Sequence, residues 1–162
     1  MGMKMGNNIL KVGILVILYF FLFALGIATL AIPGYFIYSF RISNIQPTAV
    51  LNVLSQLVYI VNYLLVVKML IGIIKSTGNT PFIMKNVKRF KVMAWCLTIN
   101  VIFECFMGYG GGKEAPIQIF SNGRGAISPI MVIGIIAALM CFVMAEVFHK
   151  AVQIKMDNDL TI

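Results

Sequence analysis

The chain has 162 residues, 60% hydrophobic and 11% charged, with a formal net charge of +8 and a mean hydropathy of +0.96. Soluble domains carry about 25% charged residues, so this composition excludes a water-clothed globule and points to a chain whose solvent is mostly lipid. The basic residues cluster beside apolar runs and form no separate module, which argues for membrane topology and anionic-lipid contact and against direct nucleic-acid binding.

The expected fold is all-α, a polytopic membrane protein forming a four-transmembrane-helix bundle. One membrane domain covers residues 1–162, with spans at about 12–32, 51–74, 90–109 and 126–148. A short N-terminus with Lys4 and Lys11 comes first. Gly6 stands where N-myristoylation needs Ser or Thr. No charge occurs from Val12 to Phe40, and Pro33-Gly34 is expected to end the first span. Thr29-Leu30-Ala31 is a poor small-x-small cleavage site, so this span is read as uncleaved. Residues 35–49 are expected to form an outer loop, with Tyr35, Phe36, Tyr38 and Phe40 at the lipid–water interface.

Along the second span, Asn52, Ser55, Gln56, Tyr59, Asn62 and Tyr63 recur every three or four residues as one polar stripe. Hydrocarbon cannot satisfy these groups, so the stripe must face other helices or a wet cavity. It reads either as interhelical hydrogen bonding or as a solute pathway. Lys68, near the inner end, can snorkel to the headgroups.

A basic loop, residues 75–91, follows with Lys75, Lys85, Lys88, Arg89 and Lys91 and no acidic residue. Loops of this kind stay on the cytoplasmic side. Gly78-Asn79 signals a turn, and Thr80-Pro81 reads as an N-cap with proline at the first helical position. From Phe82 a short basic amphipathic helix is expected to run into the third span, where Trp95 sits near the inner end. Asn100 and Glu104 share a face of that span. Glu104, the one acidic residue away from the inner end of a span, is either a functional carboxylate or one that reaches outward to Lys113 or Arg124.

A glycine-bearing outer loop (109–129) leads to the fourth span. There Gly134, Ala138, Cys141 and Ala145 make a small-residue packing seam. The tail, 149–162, is cytosolic. Its Asp157-Asn158-Asp159 lacks the glycine and distal glutamate of a calcium loop, and the segment is expected instead to pair with the basic loop. Lys4, Lys11, Lys68, Lys75, Lys85, Lys88, Arg89, Lys91, Lys150 and Lys155 then lie inside. Only Arg41, Lys113 and Arg124 lie outside, which puts both termini in the cytoplasm.

Two segments carry a family resemblance: Gly78-Asn79-Thr80-Pro81-Phe82 with Asn86-Val87-Lys88-Arg89, and Asp157-Asn158-Asp159-Leu160-Thr161-Ile162. Together they resemble the YoaS-like family of small bacterial four-span membrane proteins, a domain of unknown function. The resemblance covers most of the chain in layout and is specific only in these two segments. It implies a multi-pass protein of the bacterial cell membrane that holds or signals to a small cytosolic helix-turn-helix regulator. Thr80, Pro81, Phe82, Lys85, Lys88, Arg89, Asp157, Asp159, Leu160, Thr161 and Ile162 would be its contact residues.

The alternatives from the residues themselves are transport or export of a small molecule or ion, in an oligomer, along Gln56, Tyr59, Asn62, Asn100 and Glu104, and immunity against a membrane-active peptide. No nucleophile–base pair, HExxH or Asp-rich metal or phosphate motif is present, so neither an enzyme nor a metal or cofactor site is expected. Cys96, Cys105 and Cys141 lack CxxC spacing and read as small apolar residues.

Overall fold

The computed structural model describes residues 2–42, 47–77, 81–110, 120–121 and 126–159, with side-chain environments for 9–38, 50–77, 81–105 and 128–159. Four helices occur in it: α1 (Gly2–Ile42), α2 (Pro47–Ser76), α3 (Met84–Gly110) and α4 (Pro129–Asp159). Between α3 and α4, β1 (Phe120–Ser121) pairs antiparallel with β2 (Ala126–Ile127), a two-residue ribbon within the expected outer loop. Three stretches, Ile9–Tyr38, Val50–Ser76 and Pro129–Asp159, are long and apolar enough to cross a membrane. The chain forms two compact units, Met1–Pro81 and Phe82–Ile162.

In the first unit α1 packs against α2. The break expected at Pro33-Gly34 does not occur, and α1 runs 41 residues with Pro33 inside it. Proline removes one hydrogen bond and crowds the carbonyl four residues back. In lipid, unwinding the turn would orphan more backbone groups than the proline does, so the helix continues. The segment 35–42 is therefore helix, not loop. One turn before the proline, Thr29 Oγ1 donates to the Gly26 carbonyl at 2.7 Å.

α2 closes on its own hydroxyls. Ser76 Oγ and Thr77 Oγ1 donate to the carbonyls of Ile73 and Ile74, each at 2.6 Å, and Thr77 N also reaches the Ile73 carbonyl at 3.2 Å. These bonds satisfy carbonyls that a helix end otherwise leaves open. Lys75 Nζ lies 5.4 Å from the centre of the Tyr19 ring, a cation–π contact that ties the end of α2 to the first half of α1.

In the second unit α3 and α4 form an antiparallel hairpin. Three contacts mark its course: Phe90 with Phe148 at 5.1 Å between ring centres, Trp95 with Phe142 at 5.7 Å, and Val101 against Gly134. The buried residues of α4 are Met131, Ala138, Ala145 and Val152, each seven from the next. On α3, buried Asn86, Met93 and Asn100 repeat at the same interval. A seven-residue repeat keeps one face of each helix turned to its partner with a left-handed supercoil. The expected small-residue seam is present through Gly134, Ala138 and Ala145, with Cys141 half-buried beside it.

Two helix starts differ from expectation. Pro81 is not the first residue of a helix. α3 begins at Met84, and Asn86 N donates to the Ile83 carbonyl at 2.9 Å. Phe82 and Ile83 thus precede the helix, and the basic segment 84–91 is the first part of α3 itself. α4 begins at Pro129, not Ala126, because Ala126 and Ile127 are taken by β2. The capping arrangement expected at Thr80-Pro81 is found at Ser128-Pro129 instead. Ser128 Oγ accepts from Met131 N at 3.2 Å, with proline at the first helical position.

Candidate functional site

The start of α3 and the far part of α4 come together through one side chain. Phe148 on α4 meets Phe82 at 5.6 Å and Phe90 at 5.1 Å between ring centres. Aromatic pairs at this spacing, tilted rather than stacked, are favourable beyond the area they bury. The cluster brings the motif residues 82–89 to the same end of the hairpin as the last turns of α4, which continue to Asp159.

Below that cluster lies Asn86, whose side chain is wholly buried. Its Oδ1 accepts a hydrogen bond from Arg89 Nη1 at 2.8 Å, one turn on. A buried amide left without a partner would be costly, and a guanidinium donor strengthens the bond. Asn86 therefore aims Arg89. Val87 is buried beside it, while Lys85, Lys88 and Lys91 are exposed. Phe82 is 45% exposed despite its ring contact, so part of the aromatic cluster faces outward.

Of the expected contact residues, Phe82, Lys85, Lys88 and Arg89 gather here, with Pro81 just before them. Asp157 and Asp159 are exposed on the last turn of α4. Thr80, Leu160, Thr161 and Ile162 lie outside the described residues. On the same stretch of α4, Lys150 pairs with Glu146 at 3.7 Å on an exposed face, a contact of small energetic weight. His149 Nε2 lies 3.3 Å from Gln153 Nε2.

The polar stripe of α2 divides. Ser55 and Asn62, seven apart, are buried, whereas Asn52 and Gln56 are exposed. Ser55 Oγ donates to the Asn52 carbonyl at 2.8 Å. The hydroxyls of Tyr59 and Tyr63 lie 3.4 Å apart, with their rings edge-to-face. On α3, Asn100 is 3% exposed and Glu104, one turn on, is half-buried. The outward partners considered for Glu104, Lys113 and Arg124, lie outside the described residues. Among the described residues no three His, Cys, Asp or Glu side chains come together as a metal site would need.

Sequence reading missed the Ser128 cap, whose signal was a serine directly before proline, and the Phe82–Phe148–Phe90 cluster, which joins residues far apart in the chain.

A model of the DUF2975 family, described as a protein of unknown function, matches residues 9–162. No curated protein and no solved structure matches the chain.

Proposed function

We propose that this chain, which belongs to the DUF2975 family of proteins of unknown function, is a regulatory protein of the bacterial cell membrane that docks a small cytosolic helix-turn-helix regulator. The observation that carries the reading is the placement of Phe148 against both Phe82 and Phe90. Through it, the segment around 82–90 is held against α4 at the end of the hairpin from which α4 continues to Asp159. The first of the two segments that resemble the YoaS-like family lies at this contact and the second begins nine residues beyond Phe148, and the resemblance supplies the expected partner.

In this reading α3 is a fourth span beside the three long apolar helices, and both termini are cytoplasmic. The distribution of Lys and Arg supports that orientation. Arg89, aimed by Asn86, and the exposed lysines give the surface cationic donors, while Phe82 gives it an apolar anchor. An apolar anchor ringed by charge is the usual composition of a specific protein contact.

The test is a crosslinked pull-down from native membranes. It compares the full chain, a chain truncated after Lys155, and a chain with Lys85, Lys88, Arg89 and Lys91 changed to Gln. A small DNA-binding protein is expected with the full chain and lost with either variant. Failure to recover it with the full chain, or equal recovery from all three, would overturn the reading.

A further inference from the structure

One face of α3 grades in polarity along its length. Lys85, Lys88 and Lys91 are exposed near its start, Trp95 follows at 60% exposure, and Ile99 and Ile102 continue the exposed line. These residues are three or four apart, so they share a side of the helix. Buried Asn86, Met93 and Asn100 lie on the opposite side. The graded line covers about 26 Å at 1.5 Å per residue, with Trp95 about 15 Å from Lys85.

The order is that of a bilayer leaflet read inward: cations at headgroup depth, an amphipathic indole at the interface, branched aliphatics in hydrocarbon. The geometry points to an anionic-phospholipid contact. We infer that Lys85, Lys88 and Lys91 select negatively charged headgroups from the leaflet around α3, and that Trp95 sits beside the acyl chains of the same lipids. The inference rests on α3 entering the bilayer, as proposed above.

Charge complementarity commits the occupant. Residues 82–91 and 146–159 together hold six basic and three acidic side chains, and none of the acidic ones is on α3. Glu146, on α4, pairs with Lys150 of its own helix, and Asp157 and Asp159 stand on the last turn of α4, nine or more residues beyond the Phe148 contact with α3. The three ammonium groups step along the helix as separate point charges, with no carboxylate among them. On a helix that enters the bilayer such a row spans about 9 Å of depth, within the headgroup zone, where each basic residue near the surface adds its own attraction to anionic lipid.

The chain has a single tryptophan, and it lies on the face in question. That makes a direct test possible without a label. The purified full chain is placed in vesicles of phosphatidylcholine with a minor fraction of phosphatidylglycerol. Trp95 emission is then read with the bromine quencher on the acyl chains of one lipid or of the other, at equal bulk fraction. Phosphatidylglycerol is expected to quench at least about twofold more strongly than phosphatidylcholine. The preference should fall to parity in the K85Q/K88Q/K91Q chain and in high salt. The K150Q/K155Q chain should retain it.

Quenching by brominated phosphatidylcholine, unchanged in the triple variant, shows that this variant is still folded and inserted. Equal quenching by both lipids in the unaltered chain would overturn the lipid contact and leave the docking proposal standing. A preference that survives the triple substitution would also overturn it. Quenching by neither lipid would overturn the entry of α3 into the bilayer, and the lipid contact with it.

Discussion

Gly134 faces Val101 with no room for a methyl group: a Cβ built on Gly134 would stand 2.6 Å from Val101 Cγ2. Valine in a helix holds one strongly preferred rotamer, so the methyl cannot simply swing aside. In hydrocarbon, where lipid tails are as apolar as the helix surface, close backbone approach is a main source of helix association.

Gly134→Ala is therefore expected to destabilise the α3–α4 hairpin by about 1–3 kcal/mol, the usual cost of overpacking, despite the better helix propensity of alanine. Gly134→Leu should cost more. Val101→Ala should restore much of the loss in the Gly134→Ala background, as a double-mutant cycle on unfolding in lipid would show. Independent, additive effects would mean that this contact is not where the helices are held.

Asn86→Leu keeps the volume but removes the acceptor of Arg89. A loss of about 1.5–3 kcal/mol is expected, as for other hydrogen bonds to charged groups. Arg89→Lys, with Asn86 native, should lose only part as much, since an ammonium still donates but lacks the planar fork of donors. Thermal unfolding of both variants in the same vesicles gives the comparison.

Phe148 serves two ring contacts at once. Phe148→Ala is expected to cost about 1–3 kcal/mol if each aromatic pair contributes its usual share, and to loosen residues 82–84 ahead of the rest of α3. Backbone hydrogen exchange should show early exposure there, with Val101 and Gly134 unaffected. Uniform exposure along the hairpin would contradict a local role.

Orientation can be read by cysteine accessibility in a background where Cys96, Cys105 and Cys141 are replaced. Lys85→Cys should react only with reagent supplied from the cytoplasmic side, and Lys113→Cys only from the other. Labelling of both from one side would mean that α3 does not cross the membrane.

Tyr63→Phe removes one hydroxyl of the Tyr59–Tyr63 pair but leaves the edge-to-face rings. The expected cost is about 0.6 kcal/mol, the average for a polar contact inside a membrane. A much larger loss, or altered solute flux with native stability, would give the stripe on α2 a function beyond packing.

The all-helical character and the three long apolar helices were legible in composition and run length. So was the small-residue seam, because glycine and alanine three or four apart on a helix have few other uses in lipid. Pro33 was misleading, since the rule that proline ends helices is weakened where no water can take up the freed carbonyl. Thr80-Pro81 was misleading for another reason: Ser128-Pro129 has the same local signature, and propensity alone does not rank the two. The meeting of Phe82 and Phe90 with Phe148 could not be read at all, because it depends on the register of two helices and joins residues more than fifty positions apart.

That register has a consequence. Asn86 and Asn100 sit two repeats apart on the face of α3 that carries Met93 between them, about 21 Å along the axis. Apolar side chains in hydrocarbon are indifferent to which apolar neighbour they touch, so a greasy seam alone would let one helix slide along the other. The two buried amides break that uniformity, because turning either toward lipid would put a polar group where nothing can solvate it. With the steric stop of Gly134 against Val101, the hairpin becomes a bar of fixed alignment. A push at its Val101–Gly134 end would reach Phe148 and Phe82 as a movement of the whole piece rather than as slippage within it.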